Sequence, residues 1–131
     1  GAAPFVEDAF IDDPETIASA IRIGKPASWQ PAKAALQFSA GAIDKVTDEE
    51  ILTAYKMITE QEGIFVELAS AAALAGIIKL QNVGKIDEGS IVVATMTGHG
   101  LKDPDNAVEH ANVEVTTVEA TLDSVKAAIG I

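Results

Sequence analysis

Apolar and polar positions along the chain follow two periods, and the switches between them mark the elements. Ile17, Ala20 and Ile21 share one face at helical spacing, with Pro14 suited to a first turn, Asp13 placed to cap it and Gly24 to stop it. The spacing therefore predicts a helix over Pro14–Ile23, and a second from about Pro26 or Ser28 to Ser39, before Gly41. Thr47-Asp48-Glu49-Glu50 has the form of a capping box. Behind it Ile51, Leu52, Tyr55, Ile58 and Thr59 form a stripe that predicts a helix to about Glu62, ended by Gly63. Ser70–Leu80 reads as a small-residue helix, apolar on nearly every face and so sandwiched between other elements. Asp105–His110 suits a helical turn, and Leu122–Ile129 a closing helix.

Between the helices lie short runs with strand character. These are Ala42–Val46, Ile64–Glu67, Ile91–Met96 and Glu114–Val118, the last alternating at period two. The uninterrupted apolar run Ile91–Met96 suits a central strand covered on both faces. Strands alternating with helices predict an α/β class: a three-layer α/β/α arrangement with a largely parallel sheet, in a single domain over residues 1–131.

Composition narrows the partners. The 131 residues carry a net charge of −11, which argues against nucleic acid and against an anionic membrane surface. The longest charge-free apolar run, Leu68–Ile78, is mostly alanine and too short to span a bilayer. The first residues carry acid where a signal peptide carries base, so a cytoplasmic protein is the expectation. There are no cysteines, which excludes thiolate metal sites and a cysteine nucleophile. With aromatics at 5%, alanine, isoleucine and valine must fill the core.

The candidate chemistry concentrates in TMTGHGLKDPDNA, Thr95–Ala107, at the end of the apolar run. In open α/β sheets ligands bind at the carboxyl ends of strands. Thr97 would hold its hydroxyl at such a tip, while Gly98 and Gly100 allow a ligand to approach the backbone closely. The alternative is a plain turn that needs glycine for its geometry. His99 is either an acid–base group or a residue that orients the loop. The spacing of His99 and His110 matches no metal-ligand motif. Glu67 interrupts the apolar stretch IFVELASAAALAG, where a carboxylate is costly unless paired. It either lines a pocket or caps the helix that follows. RIGKPASW, Arg22–Trp29, is either a charged substrate contact or a corner with Trp29 packed on the core, and LKDPDNA reads as a capped turn.

Taken together, PETIASAIRIGKPASW, TDEEILTAYKMITEQEGIFVELASAAALAG and TMTGHGLKDPDNA, in this order, resemble the carboxyl-terminal part of the threonine synthase family. Its members are fold-type-II pyridoxal-phosphate enzymes, and the resemblance covers nearly the whole chain. It implies that residues 1–131 are the carboxyl-terminal portion of a large cofactor-binding domain. It further implies conversion of O-phospho-L-homoserine and water to L-threonine and phosphate, with pyridoxal 5'-phosphate held as a Schiff base on a lysine. In the family the threonine of TGHG contacts the pyridine nitrogen, which maps onto Thr97. Gly98, His99 and Gly100 then belong to the cofactor loop, and Glu67 and Ser70 to the pocket wall.

The family's cofactor-lysine motif is absent, and none of the eight lysines here (25, 33, 45, 56, 79, 85, 102, 126) lies in one. The resemblance thus implies that this chain alone does not catalyse and partners the amino-terminal part of the same enzyme. GAAPF then reads as a cut point inside a larger enzyme. A stand-alone α/β module or scaffold, able to hold a small anion at the Thr97 loop, is the other reading. Lys25 stands where the family usually has Asn, and Leu68 where it usually has Pro; both changes affect the pocket wall. Apolar surface left around Ser70–Leu80 predicts a homo-oligomer.

Overall fold

The computed structural model describes residues 10–110 and 116–131. Its centre is a pair of helices, α2 (Asp48–Met57) and α3 (Leu68–Asn82), with α1 (Trp29–Ser39) before them and α4 (Pro104–His110) and α5 (Leu122–Ile129) after. The predicted box starts α2: the Glu50 amide donates to Thr47 Oγ1 at 3.2 Å, and the Thr47 amide to Glu50 Oε2 at 2.6 Å. Two otherwise orphaned amides are satisfied, which fixes where the helix begins. After Met57 the chain continues as a wider π turn, Ile58–Glu62, and leaves through Gly63 at φ 66°. That left-handed conformation costs glycine little.

The core is formed where α2 and α3 meet. Ile51, Ala54, Tyr55 and Ile58 from α2 and the π turn pack with Val66, Leu68, Ala71 and Ala75, and Ala18 joins them. Alanines on α3 let the two helices approach closely, as the scarcity of aromatics requires. Leu68 occupies the first position of α3 and is 3% exposed. Burying a leucine side chain is worth about 1.5–3 kcal/mol, whereas a proline there would gain about 0.4–1 kcal/mol of chain entropy. The helix therefore starts firmly without the proline.

α3 begins two residues before, and ends two residues after, the predicted Ser70–Leu80, and α5 has its predicted bounds. The first predicted helix is corrected. Of Pro14–Ile23 only a 3-10 turn, Ser19–Ile21, is helical. Thr16 diverts the backbone. Its carbonyl accepts from the Arg22 guanidinium, its hydroxyl accepts from the Ala18 amide and donates to Asp48 Oδ1 at 2.6 Å, and the Ile17 amide donates to Asp48 Oδ2. Side-chain partners replace the intrahelical ladder. The Arg22–Trp29 stretch is a corner in which Trp29 meets Phe10 edge-on at 6.3 Å and Lys25 Nζ lies 4.8 Å from the Phe10 ring centre.

The described residues do not form the predicted parallel sheet. Among the described residues there is one isolated antiparallel bridge, Val66 to His99, and no ladder. Ala42–Val46 and Ile91–Met96 are without regular structure. The predicted strand Glu114–Val118 lies partly outside the described residues, and residues 116–118 form no strand. A strand completes its hydrogen bonds only on a neighbour, and among the described residues no other segment pairs with these. Ile91 and Val93 are consequently 95% and 85% exposed. A groove of about 510 Å³ runs along α3, lined by Ile43, Val46, Ala72, Ala73, Gly76 and Ile77 among others.

Candidate functional site

The bridge between Val66 and His99 brings two distant stretches together: the entry to α3 and the loop Thr97–Asp103. The Glu67 amide donates to the Gly98 carbonyl at 3.0 Å, and the Gly100 amide to the Phe65 carbonyl at 3.1 Å. These bonds hold the loop against the first turn of α3. Ser70, 1% exposed, sits beneath it. The Gly98 amide donates to Ser70 Oγ at 2.8 Å, and Ser70 Oγ lies 3.2 Å from both the Gly98 carbonyl and Thr97 Oγ1. A serine hydroxyl has one hydrogen. If it goes to the Gly98 carbonyl, Thr97 donates to Ser70. If it goes to Thr97, the Thr97 hydrogen is available to an outside acceptor. Thr97 itself is exposed.

Glu67 precedes α3 at the capping position, yet its carboxylate makes no cap bond. It turns to Lys102, whose Nζ lies 3.0 Å from Oε1. The side chain of Glu67 is 5% exposed and that of Lys102 58%. The capping alternative for Glu67 therefore gives way to a partly buried ion pair under the loop.

The glycines owe their identity to this packing. A Cβ on Gly98 would overlap the Glu67 carboxylate and approach Lys102 Nζ, and one on Gly100 would overlap the Phe65 ring. The close approach that glycine permits here is to the chain's own side chains. His99 directs the loop: its Nδ1 accepts from the Leu101 amide at 3.1 Å, capping the 3-10 turn Gly100–Lys102, and its ring meets Phe65 edge-on at 5.4 Å.

A second cluster ties the loop's far end to the Thr16–Arg22 corner. Ser19 Oγ donates to Asp103, and Asn106 Nδ2 donates to Asp103 Oδ2 at 2.7 Å and to the Ile17 carbonyl at 3.1 Å. The Ser19 hydroxyl, then Asn106, hold the Asp103 carboxyl below the usual aspartate range. The structure thus brings Glu67, Ser70, Thr97, Gly98, His99 and Gly100 together. Arg22 is engaged with Thr16 instead. Lys102 and Asp103 were missed in the sequence, where LKDP passes for a turn. An isolated carboxylate in an apolar run needs a cation, and that need is the signal that points to Lys102. Among the described residues no group of three His, Cys, Asp or Glu could hold a metal ion, and no helix is long and apolar enough to cross a membrane.

This geometry meets an independent finding. Residues 1–98 match the family model described as pyridoxal-phosphate dependent enzyme, and the chain belongs to that family. Its relatives include threonine synthases. The chain is 49% identical over 126 residues to that of Bacillus sp. (strain ULM1), covering 96% of this chain and 36% of the relative. It is 54% identical over 109 residues to that of Mycobacterium leprae, covering 83% and 30%. It is 45% identical over 135 residues to that of Methanocaldococcus jannaschii, covering 96% and 33%. The chain thus spans about a third of the length of these relatives. Membership implies an α/β fold, of which the described residues form the helices and one bridge.

Proposed function

We propose that this chain forms the ring-nitrogen side of the active site of a threonine synthase acting on O-phospho-L-homoserine and water. The observation that carries the reading is Thr97, an exposed residue whose hydroxyl is held on Ser70 at the end of a loop pinned by hydrogen bonds. The residues fit pyridoxal phosphate in the chemistry they offer. A neutral hydroxyl beside a ring nitrogen hydrogen-bonds it without imposing a proton, as a carboxylate would. When bound, the cofactor supplies the electron sink for bond breaking next to the amino group. The chain's own work is to orient. Ser70 fixes Thr97, His99 and Phe65 shape the loop, and Glu67 fills the space beside Gly98. The lysine that carries the cofactor and the phosphate-binding loop belong to the other two thirds of such an enzyme. The chain alone therefore does not turn over substrate, and it acts in the cytoplasm with that amino-terminal part. The apolar groove along α3 supports a homo-oligomer.

Treatment of the chain with pyridoxal 5'-phosphate and borohydride, followed by peptide mapping, is expected to label no single lysine stoichiometrically. Stoichiometric labelling of one lysine would sink the reading that this chain provides only the noncovalent side. In the enzyme completed by its amino-terminal part, Thr97→Ala is expected to lower kcat/KM about threefold to tenfold, the size of one hydrogen bond between neutral groups, with Thr97→Ser retaining most activity.

A further inference from the structure

We propose that Lys102 is a positioning residue for Thr97, acting through the buried Glu67 carboxylate with Gly98 packed against the pair. This inference deepens the reading of Thr97 given above and rests on it. Three observations carry it. Glu67 is buried with its charge facing one cation, Lys102 Nζ, at 3.0 Å. The Cβ position of Gly98 falls on the Glu67 carboxylate and close to Lys102 Nζ, so the Gly98 backbone packs directly against the ion pair. The same glycine binds Ser70 through its amide at 2.8 Å, and Ser70 holds Thr97.

The pair is lopsided. The carboxylate is enclosed and the ammonium faces water. Such a pair adds little net stability, but removing the cation leaves a buried charge that the fold cannot keep. Glu67 cannot retreat inward, because Leu68 and Val66 on either side of it belong to the core. Its exit lies past Gly98, and moving that way breaks the Gly98–Ser70 bond and releases Thr97. The ammonium at 102 therefore decides whether the Thr97 hydroxyl is fixed, although Lys102 need not touch the ring itself.

The test uses the 131-residue chain without cofactor, so its outcome is separate from the labelling and activity experiments above. Amide exchange at Gly98 and the Thr97 methyl signal are followed by NMR, with Ala71 and Ala75 as core controls. Lys102→Met is expected to speed Gly98 exchange by about tenfold or more, the loss of one bond in a charge-supported set. It should also shift the Thr97 methyl signal and leave Ala71 and Ala75 unchanged. Lys102→Arg should restore protection, and so should Glu67→Gln combined with Lys102→Met, because a neutral amide needs no cation. The proposal is overturned if Lys102→Met leaves Gly98 exchange unchanged, if it speeds the core amides equally, or if neither Lys102→Arg nor the double variant rescues it. Should Lys102→Met fail to fold, the comparison moves to the Glu67→Gln background. There, removing Lys102 is expected to leave Gly98 exchange unchanged, and an acceleration of about tenfold would refute the proposal.

Discussion

Helix α3 and the run Ile91–Met96 are similarly apolar, yet one holds the core and the other lies open. Ala71 and Ala75 of α3 are buried, whereas Ile91 and Val93 are almost fully exposed. A helix closes its hydrogen bonds within itself, so α3 needs only a face to pack against, and α2 supplies it. An extended run leaves every amide and carbonyl pointing sideways and depends on a neighbour for each. Apolar content chooses what is hidden, but backbone bonding decides whether it can be hidden within this chain.

The largest expected effect follows from that contrast. Ile51→Ala, at a site 1% exposed, should cost about 2–5 kcal/mol in urea unfolding. Ile91→Ala, at a site 95% exposed, should fall within about 0.5 kcal/mol. Equal costs would show that the run is buried in solution and remove the comparison. Next in size is Gly98→Ala, where the loop meets α3. The new methyl overlaps the Glu67 carboxylate, and overpacking of this kind costs about 1–3 kcal/mol. Fast exchange confined to residues 97–102, with the α2–α3 core intact, is the expected sign.

The smallest effect lies at Asp103. Its folded-state carboxyl is held below the ordinary aspartate value by Ser19 and Asn106. A lowered pKa contributes stability above the unfolded value of about 3.9, and that contribution is lost as pH falls through the folded value. Because Asp103 is only partly enclosed, solvent screening should keep the effect under about 1 kcal/mol. Ser19→Ala should raise the Asp103 pKa toward normal, read by NMR titration. An unchanged titration would show that the Ser19 bond is absent in solution.

What could be read in the sequence was whatever is decided locally. The Thr47 box, the stripe of α2 and the bounds of α5 depend on residues within a turn or two of one another. The helix expected at Pro14–Ile23 failed because Thr16 and Ile17 bond to Asp48, about 30 positions away in the chain. The described residues form no sheet for the same kind of reason, since pairing is a property of two segments. At the site, Glu67 and the Thr97 loop were visible as oddities in their own stretches, and Ser70 came only with the family resemblance. Their shared hydrogen bonds were not visible, and Lys102 escaped notice because its role exists only opposite Glu67.

Glu67 and Lys102 stand 35 positions apart, with Gly98 packed against their charged ends. Loss of the cation at 102, or a side chain added at 98, leaves the other two mismatched. Charge-changing drift in this chain is therefore expected to alter them jointly or leave them alone. A library that randomises the Thr97 loop while holding Glu67 fixed would sample mostly broken combinations.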